Sequence, residues 1–337
     1  MIQSNLVEII TLKKYFPIEP GLFRHVSGYI RAVDDVTLSV RKGETLGLVG
    51  ESGCGKTTLG RCILRAITPT AGKILFQRSN HETVDIVTLK DAQLRSVRKD
   101  MQMIFQDPYS SLDPRMSVLD IIGEPIWANN IARGEELEYK VRELADIVGL
   151  NTKHLKRYPH AFSGGQRQRI GIARALSTNP QFIVADEPVS ALDVSIRAQI
   201  LNLLQNLQQK FDLTYLFISH DLSVIQYVSD KVAVMYVGKI VELAETDELF
   251  FSPKHPYTEA LLSAVPKANP HIKMKRIILP GEVPNPANPP SGCTFHPRCL
   301  YAERICQEEE PELRKIGVSR TVACHFAEKL NLQGVSD

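Results

Sequence analysis

Short apolar runs alternate with amphipathic stretches along the first 250 residues of the chain. Thr45–Val49 (TLGLV), Phe182–Ala185 (FIVA), Tyr215–Ser219 (YLFIS) and Val232–Val237 (VAVMYV) are too short for helices and nearly free of polar positions. That pattern predicts strands buried on both faces of a parallel sheet. Lys56–Ala66 predicts a helix, and Ile200, Leu203, Leu204, Leu207 and Phe211 recur at helical spacing. Strand–helix alternation predicts an α/β domain. The segment from about 88 to 175 has few strand signals and is expected to be a helical subdomain inserted between strands. Nine of the 20 prolines fall between Pro253 and Pro290, where they forbid long helices. The expected organisation is therefore a main domain over residues 1–250 and a separate, turn-rich appendage over 251–337.

Composition removes several classes. The 40 basic and 38 acidic residues leave a formal charge of +2, so bulk charge gives no support to nucleic-acid binding. No stretch approaches the roughly 20 apolar residues needed to cross a bilayer. The first ten residues, MIQSNLVEII, lack the basic-then-apolar order of a secretory signal, so the chain is expected to stay in the cytosol.

Chemistry enters at Gly50-Glu-Ser-Gly-Cys-Gly-Lys-Thr57, which matches G-x-x-x-x-G-K-[ST] after a strand and at the start of a helix. Gly50, Gly53 and Gly55 let the backbone wrap a phosphate, with Ser52, Cys54 and Thr58 completing the loop and helix start. Lys56 would hold the β- and γ-phosphates and the Thr57 hydroxyl would ligate Mg²⁺. Cys54 is expected there for its small size. Phe182–Ala185 runs into Asp186-Glu187-Pro188, an apolar strand ending in acids. Asp186 fits a Mg²⁺ contact and Glu187 a general base; by themselves, adjacent acids can simply cap a strand.

Between these elements lies Phe162-Ser163-Gly164-Gly165-Gln166-Arg-Gln-Arg-Ile-Gly-Ile-Ala-Arg174. It resembles the signature motif of ABC (ATP-binding cassette) ATPases, in which Ser163, Gly164, Gly165 and Gln166 would face ATP held by a second cassette. The resemblance extends in order through three more motifs. Gln106 is similar to the Q-loop glutamine, a Mg²⁺ and water contact. Ser190-Ala-Leu-Asp193 is similar to the D-loop, with Asp193 at the dimer interface. His220, 33 residues beyond Glu187, is similar to the switch histidine at the γ-phosphate. Phe16 and Tyr29 are both candidates for the adenine-stacking aromatic. The implied fold is a P-loop NTPase ABC cassette: a RecA-like core, an antiparallel β subdomain and a helical subdomain, here with a small irregular C-terminal domain.

Gln106–Arg115 (QDPYSSLDPR), Arg157–His160 (RYPH) and His255–Pro266 (HPYTEALLSAVP) narrow the resemblance to the oligopeptide/dipeptide and nickel importer subfamily. They are most similar to its second, F-type ATPase subunit. Gly281-Glu-Val-Pro and Gly292–Cys299 look like that subfamily's C-terminal extension. Four of the six cysteines lie there, spaced Cys293-x5-Cys299-x6-Cys306-x17-Cys324. Four thiolates can hold a [4Fe–4S] cluster or a tetrahedral zinc, or stay free or form disulfides, and the spacing alone does not choose. Some members of the subfamily carry an iron–sulfur cluster in this region, and the resemblance therefore implies [4Fe–4S]. His296 and His325 flank the cysteines and could substitute as zinc ligands, but read first as ordinary loop residues; Glu308-Glu-Glu310 reads as a solvated helix start, and Arg95, Arg98 and Lys99 as a solvated face.

The resemblance implies ATP and Mg²⁺ as ligands and ATP hydrolysis coupled to peptide import. It implies a second, related but different ATPase subunit, two transmembrane permease subunits and, indirectly, an extracytoplasmic solute-binding protein. The chain would sit peripherally on the cytoplasmic face of the membrane. Oligosaccharide or nickel import is the alternative within the subfamily. A soluble ABC protein acting on ribosomes or DNA, or an ATP-switched iron–sulfur regulator, is the alternative outside it.

Overall fold

The computed structural model describes residues 4–18, 27–265 and 276–335. The start of the N-terminal segment, most of the stretch between Phe16 and Tyr29, and Pro266 lie outside the described residues. The chain opens with strands β1 (Asn5–Ile18), β2 (Gly28–Arg41) and β3 (Thr45–Val49), then helix α1 (Lys56–Ile63), β4 (Ala71–Gln77) and β5 (Thr83–Asp85). Next come α2 (Asp91–Arg98), β6 (Met101–Ile104), α3 (Val118–Ala128), α4 (Gly134–Ile147) and α5 (Gly164–Leu176). They are followed by β7 (Phe182–Asp186), α6 (Val194–Phe211), β8 (Thr214–Ile218), α7 (Leu222–Val228), β9 (Lys231–Tyr236) and β10 (Lys239–Glu245). The remainder holds α8 (Thr246–Phe251), α9 (Pro256–Leu262), α10 (Arg304–Glu308), β11 (Arg314–Ile316) and β12 (Arg320–Val322).

Among the described residues the strands form two sheets, ordered β2-β1-β4-β5 and β11-β12-β10-β9-β3-β8-β7-β6. The first is antiparallel. In the second, β9, β3, β8, β7 and β6 run parallel. Every residue of β3, β7 and β8 is buried, as expected of central strands covered on both faces.

Strand alternation divides those side chains between two cores. Phe182, Val184, Leu216, Ile218, Ala233 and Met235 pack with α1 and the antiparallel sheet. Ile183, Ala185, Tyr215, Phe217, Val232 and Val234 pack with α3, α5, α6 and the C-terminal segment. Each fully buried Phe or Ile is worth roughly 1.5–3 kcal/mol of transfer free energy.

Some local expectations shift. The stretch 88–175 also contains β6, which pairs in parallel with β7 at the edge of the core sheet. Four residues, MQMI, are too few to show a period. The segment after residue 250 does not stand apart from the main sheet, because β12 pairs with β10 and carries β11 outward. The acidic run at 308–310 closes α10 rather than opening it, and Glu310 pairs with Lys239 across to β10. On α6 the buried stripe is Ile200, Leu201, Leu204 and Leu207, while Phe211 is partly exposed. Among the described residues no helix is long and apolar enough to cross a membrane.

Candidate active site

Five parallel strands set the site, since loops leaving the carboxyl ends of such strands converge on one edge. The loop after β3 is Gly50–Gly55. A Cβ on Gly50 would lie 2.2 Å from the Met235 carbonyl oxygen, and one on Gly55 2.0 Å from that of Ala32. Both residues also have positive φ, so glycine is required twice over. Ser52 and Gly53 are exposed, while Thr57 and Thr58 are half-buried on the first turn of α1. Cys54 is buried, and burial pushes its thiol up from the ordinary value despite nearby Lys56. It fills space under the loop. Buried Lys56 donates to the carbonyls of Gly50 at 2.7 Å and Glu51 at 3.0 Å, so its ammonium is curled within the loop.

The ends of β6, β7 and β8 bring the acids and their partners. Asp186, at the end of β7, is almost fully buried and accepts from the Thr57 hydroxyl at 3.0 Å. Burial raises its pKa, so the anion there calls for a cation. Glu187 follows with φ 45°, its N–H tied to the Ile218 carbonyl of β8 at 2.9 Å. One oxygen of its carboxylate accepts from Gln106 Nε2 at 2.9 Å, and the other lies 3.0 Å from His220 Nδ1. Gln106, Glu187 and His220, separated by 81 and 33 positions, thus meet in one hydrogen-bonded row beside the Thr57–Asp186 pair.

The remaining candidates lie elsewhere. Ser163 caps α5 in a reciprocal capping box with Gln166 and is exposed; Gly164 and Gly165 form the first turn. Among the described residues no hydrogen bond joins this turn to the loop at 50–58. Asp193 caps α6 without a side-chain cap bond, next to Val194, which is 80% exposed. Phe16 pairs with Ile30, and Tyr29 with Pro17, across the β1–β2 hairpin. The two rings leave the hairpin on opposite faces, so one of them at most can stack on a base at the loop.

Cys293, Cys299, Cys306 and Cys324 line one small cavity with His255, Phe295 and Phe326. None is in a disulfide. Among the described residues no group of three or more His, Cys, Asp or Glu side chains is placed to hold a single metal ion. His296 Nδ1 is engaged by the Cys293 carbonyl and His325 Nε2 by that of Glu309.

Residues 33–190 match the family model described as ABC transporter, and residues 241–306 match the oligopeptide/dipeptide transporter C-terminal region. The oligopeptide transport ATP-binding protein AppF of Bacillus subtilis is 55% identical, with 96% of this chain and 98% of the relative covered. The chain belongs to the ABC transporter ATPase family. The dipeptide transport ATP-binding protein DppF of Haemophilus influenzae is 47% identical over 95% of this chain and 96% of its own length. A dimeric ATP-binding cassette solved in a post-hydrolysis state with ADP and Pi superposes with a TM-score of 0.62 at 27% identity, covering 71% of this chain and 98% of that one. The ABC cassette fold expected from the motifs is therefore the fold found, and the chain is an ATPase of that family.

One set of contacts within this ABC ATPase was not foreseen. Arg298, between two of the cysteines, reaches Glu51 of the phosphate loop, and Tyr257 accepts from the Glu51 N–H. Tyr257 stands inside the His255–Pro266 stretch that carries the subfamily resemblance, but nothing in the sequence marks it as a neighbour of residue 51.

Proposed function

We propose that this chain is the ATP-hydrolysing subunit of a peptide importer. It would work at the cytoplasmic face of the membrane with a second, related ATPase subunit and two transmembrane permease subunits, and would be served indirectly by an extracytoplasmic solute-binding protein. The observation that carries the catalytic part is the Glu187 carboxylate held between Gln106 and His220 beside Thr57 and Asp186. The peptide part is supported by the C-terminal family match and by the names of the relatives.

The roles follow from geometry. Lys56 uncurls from its own loop carbonyls to meet the β- and γ-phosphates of ATP. Glu187 keeps free lone pairs on both oxygens and takes the proton of the attacking water, while Gln106 and His220 fix the orientation of its carboxylate. The buried Asp186 carboxylate, hydrogen-bonded by the Thr57 hydroxyl, fits Mg²⁺; Thr57, Gln106 and Asp186 would hold the ion. When bound, Mg²⁺ supplies charge neutralisation at the phosphates. The exposed turn at Ser163–Gln166 and the Asp193 turn serve the site of the second cassette, consistent with their exposure and, among the described residues, with no hydrogen bond from the Ser163 turn to this chain's own loop.

Four thiols around one cavity can hold a [4Fe–4S] cluster or a zinc ion, and the subfamily resemblance favours the cluster. They line a common cavity, and the three nearby imidazoles are engaged, His296 and His325 with backbone carbonyls and His255 Nδ1 with the Tyr257 N–H. Cys293, Cys299 and Cys324 each accept a backbone N–H from two residues on, a pattern that favours the thiolate and tunes a cluster. Without a metal, burial pushes Cys293 up to about 12 and Cys299 up to about 11. A structural role is assigned to the cluster.

The test is reconstitution of the chain with its permease and ATPase partners in vesicles. Peptide uptake that needs ATP and is lost in Lys56→Ala supports the proposal. ATP hydrolysis indifferent to permease and peptide contradicts it. Iron and acid-labile sulfide near about four each per chain after anaerobic purification support the cluster, and zinc or no metal removes it.

A further inference from the structure

Glu51, the second residue of the phosphate loop, is held by the C-terminal segment at two points. Arg298 grips its carboxylate with both terminal nitrogens, at 2.7 and 3.1 Å, in a bidentate fork. The Tyr257 hydroxyl accepts its backbone N–H at 2.8 Å. Its carbonyl takes the third bond, from Lys56. The residues that grip Glu51 are 247 and 206 positions away in sequence. They are also well fixed themselves. Tyr257, Tyr236 and Phe295 are fully buried and packed ring on ring, with Tyr236 and Phe295 edge to face at 5.2 Å. The Arg298 guanidinium stands 5.9 Å from the centre of the Tyr236 ring and 3.4 Å from its hydroxyl. Arg298 lies on a single short turn between Cys293 and Cys299, whose backbone bonds run Cys293 to His296 and His296 to Cys299.

A free carboxylate at position 51 would work against the site. It would repel the phosphates of ATP and attract the Lys56 ammonium that must reach them. We propose that Arg298 and Tyr257 are positioning residues for ATP: they fix Glu51, keep its carboxylate away from the phosphates and from Lys56, and so set the phosphate loop open for nucleotide. The cysteine-rich segment thereby becomes part of the nucleotide site. This rests on the assignment of residues 50–57 as the phosphate loop.

Steady-state ATPase kinetics and nucleotide binding on the full chain test it. Arg298→Gln leaves the carboxylate unpaired and is expected to raise KM and Kd for ATP about tenfold with kcat at saturation little changed. Glu51→Gln loses the fork and leaves the Arg298 guanidinium unpaired, but no anion beside the phosphates, and about threefold is expected. The double variant returns to the Glu51→Gln value, because removing the carboxylate rescues the loss of its partner. Tyr257→Phe raises KM by about threefold. If Arg298→Gln does not fold, Arg298→Lys reads the same contact, since ammonium cannot reproduce the fork. Folded Arg298 variants with unchanged KM, or a double variant no better than Arg298→Gln, overturn the proposal. Lys56→Ala separates the two levels: if it binds ATP normally, the phosphate-loop assignment itself fails.

Discussion

The nucleotide site and the cysteine cavity solve the problem of bringing distant residues together in opposite ways. At the nucleotide site, regular structure does it. Gln106, Glu187 and His220 follow the ends of three parallel strands, whose register sets them side by side, and Lys56 follows a fourth through the glycine loop. The chain needs only short loops and a few glycines to finish the job. At the cysteine cavity there is little regular structure, and the backbone from 291 to 326 is a series of turns with one five-residue helix and two three-residue strands. It is held to the core by Phe295, packed on Tyr236 and Tyr257, and by the pairing of β12 with β10. The first site is preorganised by the core sheet; the second rests on tertiary packing, to which the proposed cluster would add its own bonds. Arg298 links the two, because a turn of the second region fixes a residue of the first.

The largest effect should come from breaking the preorganised site directly. Lys56→Ala removes a buried ammonium that must pair with phosphate, and ATP affinity is expected to fall about 100-fold while the fold persists. Equilibrium nucleotide binding and thermal melting together check this. The cysteine region should respond differently. If it holds the proposed cluster, Cys306→Ser or chelation of the iron is expected to loosen residues 291–326 to protease and lower Tm by about 5 °C, with cleavage confined to the C-terminal part. Uniform cleavage through the cassette would erase the distinction between the regions. A smaller effect tests how tightly the loop is seated on its neighbours. Gly55→Ala places a methyl 2.0 Å from the Ala32 carbonyl oxygen, and a stability loss of about 2 kcal/mol is expected in chemical denaturation.

The same contrast explains what was readable in advance. The phosphate loop is legible because its geometry admits almost no other residues: Gly50 and Gly55 face backbone oxygens at distances that exclude any side chain. The central strands are legible because burial on two faces leaves an unbroken apolar run, as in Phe182–Ala185. Strand β6 is hidden because four residues show no period. The extension of the sheet by β11 and β12 is hidden because each has three residues and only pairing, of β12 with β10 and of β11 with β12, makes them strands. Arg298 is illegible for a different reason. An arginine in a turn-rich segment reads as solvated, and its burial at 7% exposure depends on a carboxylate 247 positions earlier. Between Phe16 and Tyr29, knowing the register shows that they face opposite ways, but their ring types alone could not separate them.

The central claim is that Glu187, held between Gln106 and His220, is the base for ATP hydrolysis. Glu187→Gln keeps the size and both hydrogen-bonding neighbours and removes only the proton acceptor. ATP turnover and ATP binding by this variant, measured on the same preparation, test the claim most directly. The account predicts undiminished ATP binding with kcat lowered about 100-fold or more; turnover at the rate of the unmodified chain would contradict it.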